Sequence, residues 1–132
     1  MEQFINHFEY SGMNAAIKGN TLQFGRHTVT VRNGIPRFTP DQTYASGNFS
    51  RLRENHPRLQ LDSYNLTTDR YQTILERTNW PSSFFKGKTV LECGCGVGPD
   101  TEILLSLGAR VLAVYLTNLD TARDNLGSGD NI

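Results

Sequence analysis

The 132-residue chain is short of several residue types, and each shortage excludes something. Cysteine occurs only at Cys93 and Cys95. Two cysteines separated by one residue make a poor intrachain disulfide, and no second cluster exists to complete a zinc site. Runs of one charge are missing too, with thirteen basic residues balancing thirteen acidic ones. A dedicated nucleic-acid binder normally shows a basic stripe, so that class is set aside. Long apolar runs are absent. "VLAVYL" is typical of the longest and far too short for a membrane span. The opening "MEQFINHFEYSG" carries acids and lacks an uninterrupted apolar core, which is not the pattern of a secretory signal. A cytoplasmic protein is the simplest expectation. Hydrophobic residues make up 37% of the chain, low for an α/β domain, which predicts sizeable loops or an open surface.

What is present falls into three regions. Residues 1–40 read as a small β-rich module: "TLQF" and "HTVTVRNGIPRF" are strand candidates, with β-branched Val29, Thr30 and Val31 and a turn at Asn33-Gly34. Pro36 limits further pairing on its side. Residues 41–62 are polar and mixed and read as a linker, broken at His56-Pro57, with at most one short helix around Phe49–Asn55. Residues 63–132 form the third region. In "LTTDRYQTILERTNWP", Tyr71, Ile74, Leu75 and Thr78 recur at helical spacing, with Thr67 or Thr68 as the cap and Trp80-Pro81 as the end. "KTVLEC" is a buried-type strand, and "PDTEILLSLG" a helix with Pro99 in its first turn and Gly108 as its stop. "ARVLAVYL" is a second apolar strand, and "NLDTARDNL" begins another helix.

Strand, helix, strand within about thirty residues is the crossover unit of α/β folds, whose parallel strands are normally covered on both faces. One such unit cannot bury its own sheet, so the chain looks truncated relative to a whole enzyme domain. Its open edge is expected to be covered by the N-terminal region or by another chain, as in a homo-oligomer.

The chemistry concentrates between the two strands, in Glu92-Cys93-Gly94-Cys95-Gly96-Val97-Gly98. Glycines permit a tight turn and let a ligand lie against the backbone, where the helix-start amides face it. A dinucleotide fingerprint needs glycine or alanine at position 99, which is Pro99 here, and expects no acid two residues before the first glycine. The pattern acid-x-Gly-x-Gly-x-Gly, in "VLECGCGVGPDTEILLSLGARVLAV", resembles motif I of class I S-adenosylmethionine-dependent methyltransferases. That resemblance implies an α/β, partial Rossmann-like methyltransferase fold and S-adenosylmethionine (SAM) as cofactor. It places Glu92, Gly94, Cys95, Gly96 and Gly98 in the cofactor cradle, with Glu92 helping to orient the methionine end. Cys93 and Cys95 themselves read as small space-filling thiols without metal or nucleophilic chemistry.

In the resembled family the second strand usually ends in an acid that clamps both ribose hydroxyls. Tyr115 stands there in this chain. A phenol offers a single neutral oxygen where a carboxylate takes two charge-assisted bonds. Two readings of Tyr115 stand: a ring that stacks on the cofactor or closes its pocket, and a ring that packs at an interface. Asn118 or Asp120 could partly replace the acid. The resemblance extends upstream through "QLDSYNLTTDRYQTILERTNWPSSFFKGKTVLE", similar to the helix leading into such catalytic domains. It reaches "VRNGIPRF", which looks like the end of a zinc-ribbon-like module, here without its cysteines and so without metal. The strands that would supply adenine and acceptor contacts do not follow. The chain is therefore expected to carry the cofactor loop but no site for its unidentified methyl acceptor, and to be inactive alone. The alternative expectation is a non-catalytic, methyltransferase-derived fragment acting through self-association or a protein partner. Tyr10, His7, His27 and His56 are isolated in sequence and read as surface or satisfied residues.

Overall fold

The computed structural model describes residues 2–39, 55–116 and 119–127. The protein is a mixed α/β chain of two compact units, residues 1–43 and 44–132.

In the first unit a 3₁₀ turn, Glu2–His7, leads into six short strands: β1 Glu9–Tyr10, β2 Met13–Asn14, β3 Ala16–Lys18, β4 Thr21–Phe24, β5 His27–Arg32 and β6 Ile35–Pro36. β1 and β2 pair as a minimal hairpin, and β3-β4-β5-β6 form an antiparallel meander. Alternation along β4 buries Leu22 and Phe24. Leu22 faces Ile17 on one neighbour and Val29 on the other, an apolar row across three strands. The β5–β6 connection is Asn33-Gly34, both at positive φ (53° and 73°), the geometry that matches the twist of a two-residue hairpin. Pro36 sits in the edge strand β6, where its missing N–H costs no ladder bond. Strands β1 to β3 were not anticipated, because two or three residues carry no periodic signal. Tyr10 and His27 meet edge to face at 5.1 Å, and His7 lies 6.3 Å from Phe4, so neither histidine stands alone.

The second unit contains α1 Asp62–Asn65, α2 Asp69–Thr78, a 3₁₀ turn Ser82–Phe85, β7 Thr89–Cys93, α3 Pro99–Ser106, β8 Arg110–Val114 and α4 Asp120–Leu126. Residues 41–54 of the expected linker lie outside the described residues, as does all but the last residue of the short helix expected near Phe49–Asn55. Leu61 and Asp62, at the linker's expected end, are both buried.

Asp62 explains how α2 starts. Thr68 occupies the N-cap position but its side chain makes no capping bond. The Asp62 carboxylate does the capping from the preceding helix: it accepts the Arg70 N–H at 3.1 Å, the Tyr71 N–H at 3.0 Å and the Thr67 hydroxyl at 3.1 Å. Burial pushes this carboxyl up, but the Tyr71 and Arg70 amides, the Thr67 hydroxyl and the Arg70 charge outweigh it. The group ends below its ordinary value.

β7 and β8 pair in parallel, from Thr89↔Arg110 to Cys93↔Val114. With a period of two, Val90, Glu92, Val111 and Ala113 share one face, and Leu91, Cys93, Leu112 and Val114 the other. The first face is covered. Phe85, Leu104, Ala109 and Val111 form its core, with Ile74, Leu75, Val90 and Ala113 packed around them. Among the described residues of this unit, the second face is not covered as parallel strands usually are: Leu91 is 61% exposed and Val114 38%. The core contacts of α2 and α3 all fall on one side of the strands. Among the described residues no helix is long and apolar enough to cross a membrane.

Candidate functional site

β7 delivers Glu92 to its C-terminal end, on the covered face, with the start of α3 across from it. Thr101, fully buried in the first turns of α3, donates its hydroxyl to Glu92 Oε2 at 2.5 Å. Burial pushes the Glu92 carboxyl above its ordinary value. The Thr101 hydrogen bond works against that rise, and the nearby Asp100 charge adds to it. Thr101 escaped the sequence reading. Its only signal is a hydroxyl residue three positions into a helix that otherwise turns apolar side chains to the sheet.

The loop after Glu92 is stitched to the end of β8. The amides of Gly94 and Cys95 both donate to the Val114 carbonyl, at 2.7 and 3.3 Å, and Gly98 N–H donates to the Cys95 carbonyl at 2.9 Å. These bonds end β8 at Val114 rather than at the expected Leu116, because the partner strand has already become loop. They also bring Tyr115, partly buried and one residue past β8, beside the glycine turn in the backbone.

The glycines divide by what surrounds them. Gly94, at φ 92°, is exposed, and a Cβ placed on it would meet no atom within 4 Å. Gly98, at φ 94°, is buried, and a Cβ there would lie 2.7 Å from Leu126 Cδ1. Gly98 therefore serves the packing of α4 on the loop, while Gly94 faces open space where a ligand can lie against the backbone. Gly96 is buried with positive φ, and Cys95 is buried beside it. Cys93 is exposed, so the space-filling reading fits only Cys95.

A second clamp holds the loop from behind. The Asn125 side-chain amide donates to the Val97 carbonyl at 2.9 Å and to the Pro57 carbonyl at 2.8 Å. One α4 residue thus links the loop to the segment ahead of α1. Asp120 opens α4, and Asn118 lies outside the described residues.

The first-turn amides of α3 have no acceptor within their own helix, and Pro99 at the first position has no N–H to satisfy. Glu92 offers a hydrogen-bond acceptor and the start of α3 offers its first-turn amides on either side of the open turn at Gly94, whose own amide is taken by Val114. Among the described residues no group of three His, Cys, Asp or Glu side chains is placed to hold a metal ion. Comparisons with protein-family models, with curated proteins and with solved structures return no match for this chain.

Proposed function

We propose that the second unit is the cofactor-holding part of a SAM-dependent methyltransferase. The observation that carries this reading is the open turn at Gly94. It lies between a parallel strand ending in the acid Glu92 and a helix start, and a Cβ there would project into empty space. That geometry fits the methionine end of the cofactor. Glu92 would accept from its ammonium group, whose charge draws the raised carboxyl back toward the ionised form. The fit is poorer at the ribose end, where Tyr115 supplies one phenolic oxygen in place of a carboxylate.

SAM, when bound, supplies an electrophilic methyl group on a sulfonium, which an acceptor lone pair displaces in line to leave S-adenosylhomocysteine. The chain's own contribution is to hold and orient. Calorimetric titration with SAM or S-adenosylhomocysteine tests the reading: saturable binding that Gly94→Val abolishes is expected, and no heat at millimolar ligand sinks it.

A second reading rests on the uncovered sheet face of Leu91, Cys93, Leu112 and Val114. Exposed apolar side chains gathered on one face favour association, so the chain would act through itself or a protein partner instead of by catalysis. Sedimentation decides it: a larger species converted to monomer by Leu91→Lys supports association, and a monomer with ordinary SAM affinity counts against it.

A further inference from the structure

The side chains at the start of α3 are held from three directions. Asp100 meets the Arg70 guanidinium of α2 at 3.4 Å. Glu102 accepts the Ser63 amide of α1 at 3.4 Å, and the Ser63 hydroxyl as well. Between them Thr101 donates to Glu92 of β7 at 2.5 Å. Successive helix positions point about 100° apart, so anchors at three consecutive residues fix how α3 is turned about its own axis.

A threonine inside a helix commonly turns its hydroxyl to the backbone carbonyl four residues back. Thr73 and Thr78 do so, donating to Asp69 and Ile74 at 2.7 and 2.8 Å. Thr101 does not. The carbonyl four residues back from it is that of Val97, which accepts the Asn125 side-chain amide at 2.9 Å. The Thr101 hydroxyl is aimed at Glu92 Oε2 instead, from a fully buried position that solvent does not reach. The other carboxylate oxygen is left over. Among the described residues Glu92 Oε1 accepts no hydrogen bond, and it keeps access to solvent. It belongs to the side chain two residues ahead of Gly94, where a Cβ would meet open space. A carboxylate with one oxygen tied inward and one free is set to receive a single charged donor.

We propose that Thr101 is a positioning residue for ligand binding: it holds Glu92 so that Oε1 is the acceptor for a primary ammonium beside the glycine loop, and the site therefore takes ligands whose amino end is protonated. The ligand role of Thr101 rests on the methyltransferase reading; its hold on Glu92 does not. Burial disfavours the ionised form of Glu92, the Thr101 hydrogen bond favours it, and the Asp100 charge disfavours it. The residue in register on β8 is Ala113, which does not titrate. Loss of the hydroxyl therefore raises the carboxyl further, and a ligand ammonium then needs a higher pH to find it ionised.

The test is calorimetric titration of the full chain with S-adenosylhomocysteine between pH 5 and pH 8, together with a nuclear magnetic resonance titration of the Glu92 carboxyl carbon. Parent, Thr101→Ser and Thr101→Val are compared. Thr101→Ser keeps the hydroxyl and is expected to bind within about twofold of the parent. Thr101→Val keeps the shape and loses the donor, and is expected to bind about tenfold more weakly at pH 6. The acid limb of its binding profile and the Glu92 titration should both move to higher pH, which a loss of packing would not produce. Thr101→Val matching the parent in affinity overturns the proposal, as does equal weakening in both variants. Failure of the parent to bind S-adenosylhomocysteine overturns the cofactor reading and the ligand role of Thr101 with it. A Glu92 midpoint unmoved in Thr101→Val is a failure at Thr101 alone.

Discussion

Thr101 donates its hydroxyl to Glu92 Oε2 at 2.5 Å, joining the end of β7 to the first turns of α3 across the base of the glycine loop. The contact fixes the acid's direction while leaving it partly buried, and burial lifts its proton affinity. A carboxyl whose folded value is raised contributes stability that is full below its unfolded value of about 4.3 and is lost as pH rises through the folded value. Glu92→Gln keeps an acceptor for Thr101 and has no charge to bury. It should therefore be more stable than the parent at pH 7 and lose that advantage at pH 4, measured as thermal midpoints at the two pH values.

Asp62 behaves in the opposite sense. Its carboxyl is held below the ordinary value, so its contribution is present above about 3.9 and is lost as pH falls through the folded value. Asp62→Ala removes the acceptor of two α2 amides and the Thr67 hydroxyl, and should cost roughly 2 kcal/mol at pH 7. The deficit should shrink by pH 3. Urea unfolding at both pH values checks the sign and the size.

Gly94 and Gly98 share a backbone conformation but not a neighbourhood. Gly94→Ala carries the cost of positive φ alone, about 1 kcal/mol, and should leave folding intact while obstructing cofactor binding. Gly98→Ala adds a collision with Leu126 and should cost roughly 2–3 kcal/mol. A double-mutant cycle with Leu126→Ala should recover part of the second loss and none of the first; equal recovery in both would refute the division of roles.

Tyr115→Asp restores the acid that the resembled family carries. If the ribose end lies against Tyr115, SAM affinity should rise by roughly 1–3 kcal/mol, or about five- to two-hundredfold, in calorimetry. Unchanged affinity would place the ribose elsewhere.

Much of the fold was legible from local chemistry. The apolar runs at 89–93 and 110–114 are strands, Pro99 and Gly108 bracket α3, and Asn33-Gly34 makes the hairpin turn, because each depends on neighbours a few residues away. Contacts across long separations were not legible. The α2 cap comes from Asp62, where a reading of adjacent residues expects Thr67 or Thr68. Thr101 turned out to orient Glu92, and Asn125 reaches 68 residues back to Pro57.

His56 shows the same limit: it is isolated along the chain, yet the turns from His56 to Leu61, held by Asn65 and Asn125, bring it beside Arg58 and Tyr64 around one open surface pocket. By itself the sequence determined where the longer strands and helices lie and that an acid precedes a glycine turn, since periodicity, capping and turn preference are short-range. Only the tertiary structure decided which glycine packs and which stays open, what Glu92 meets, and which face of β7 and β8 is left bare. Those outcomes depend on which side chains the folded chain brings within a few ångströms of one another.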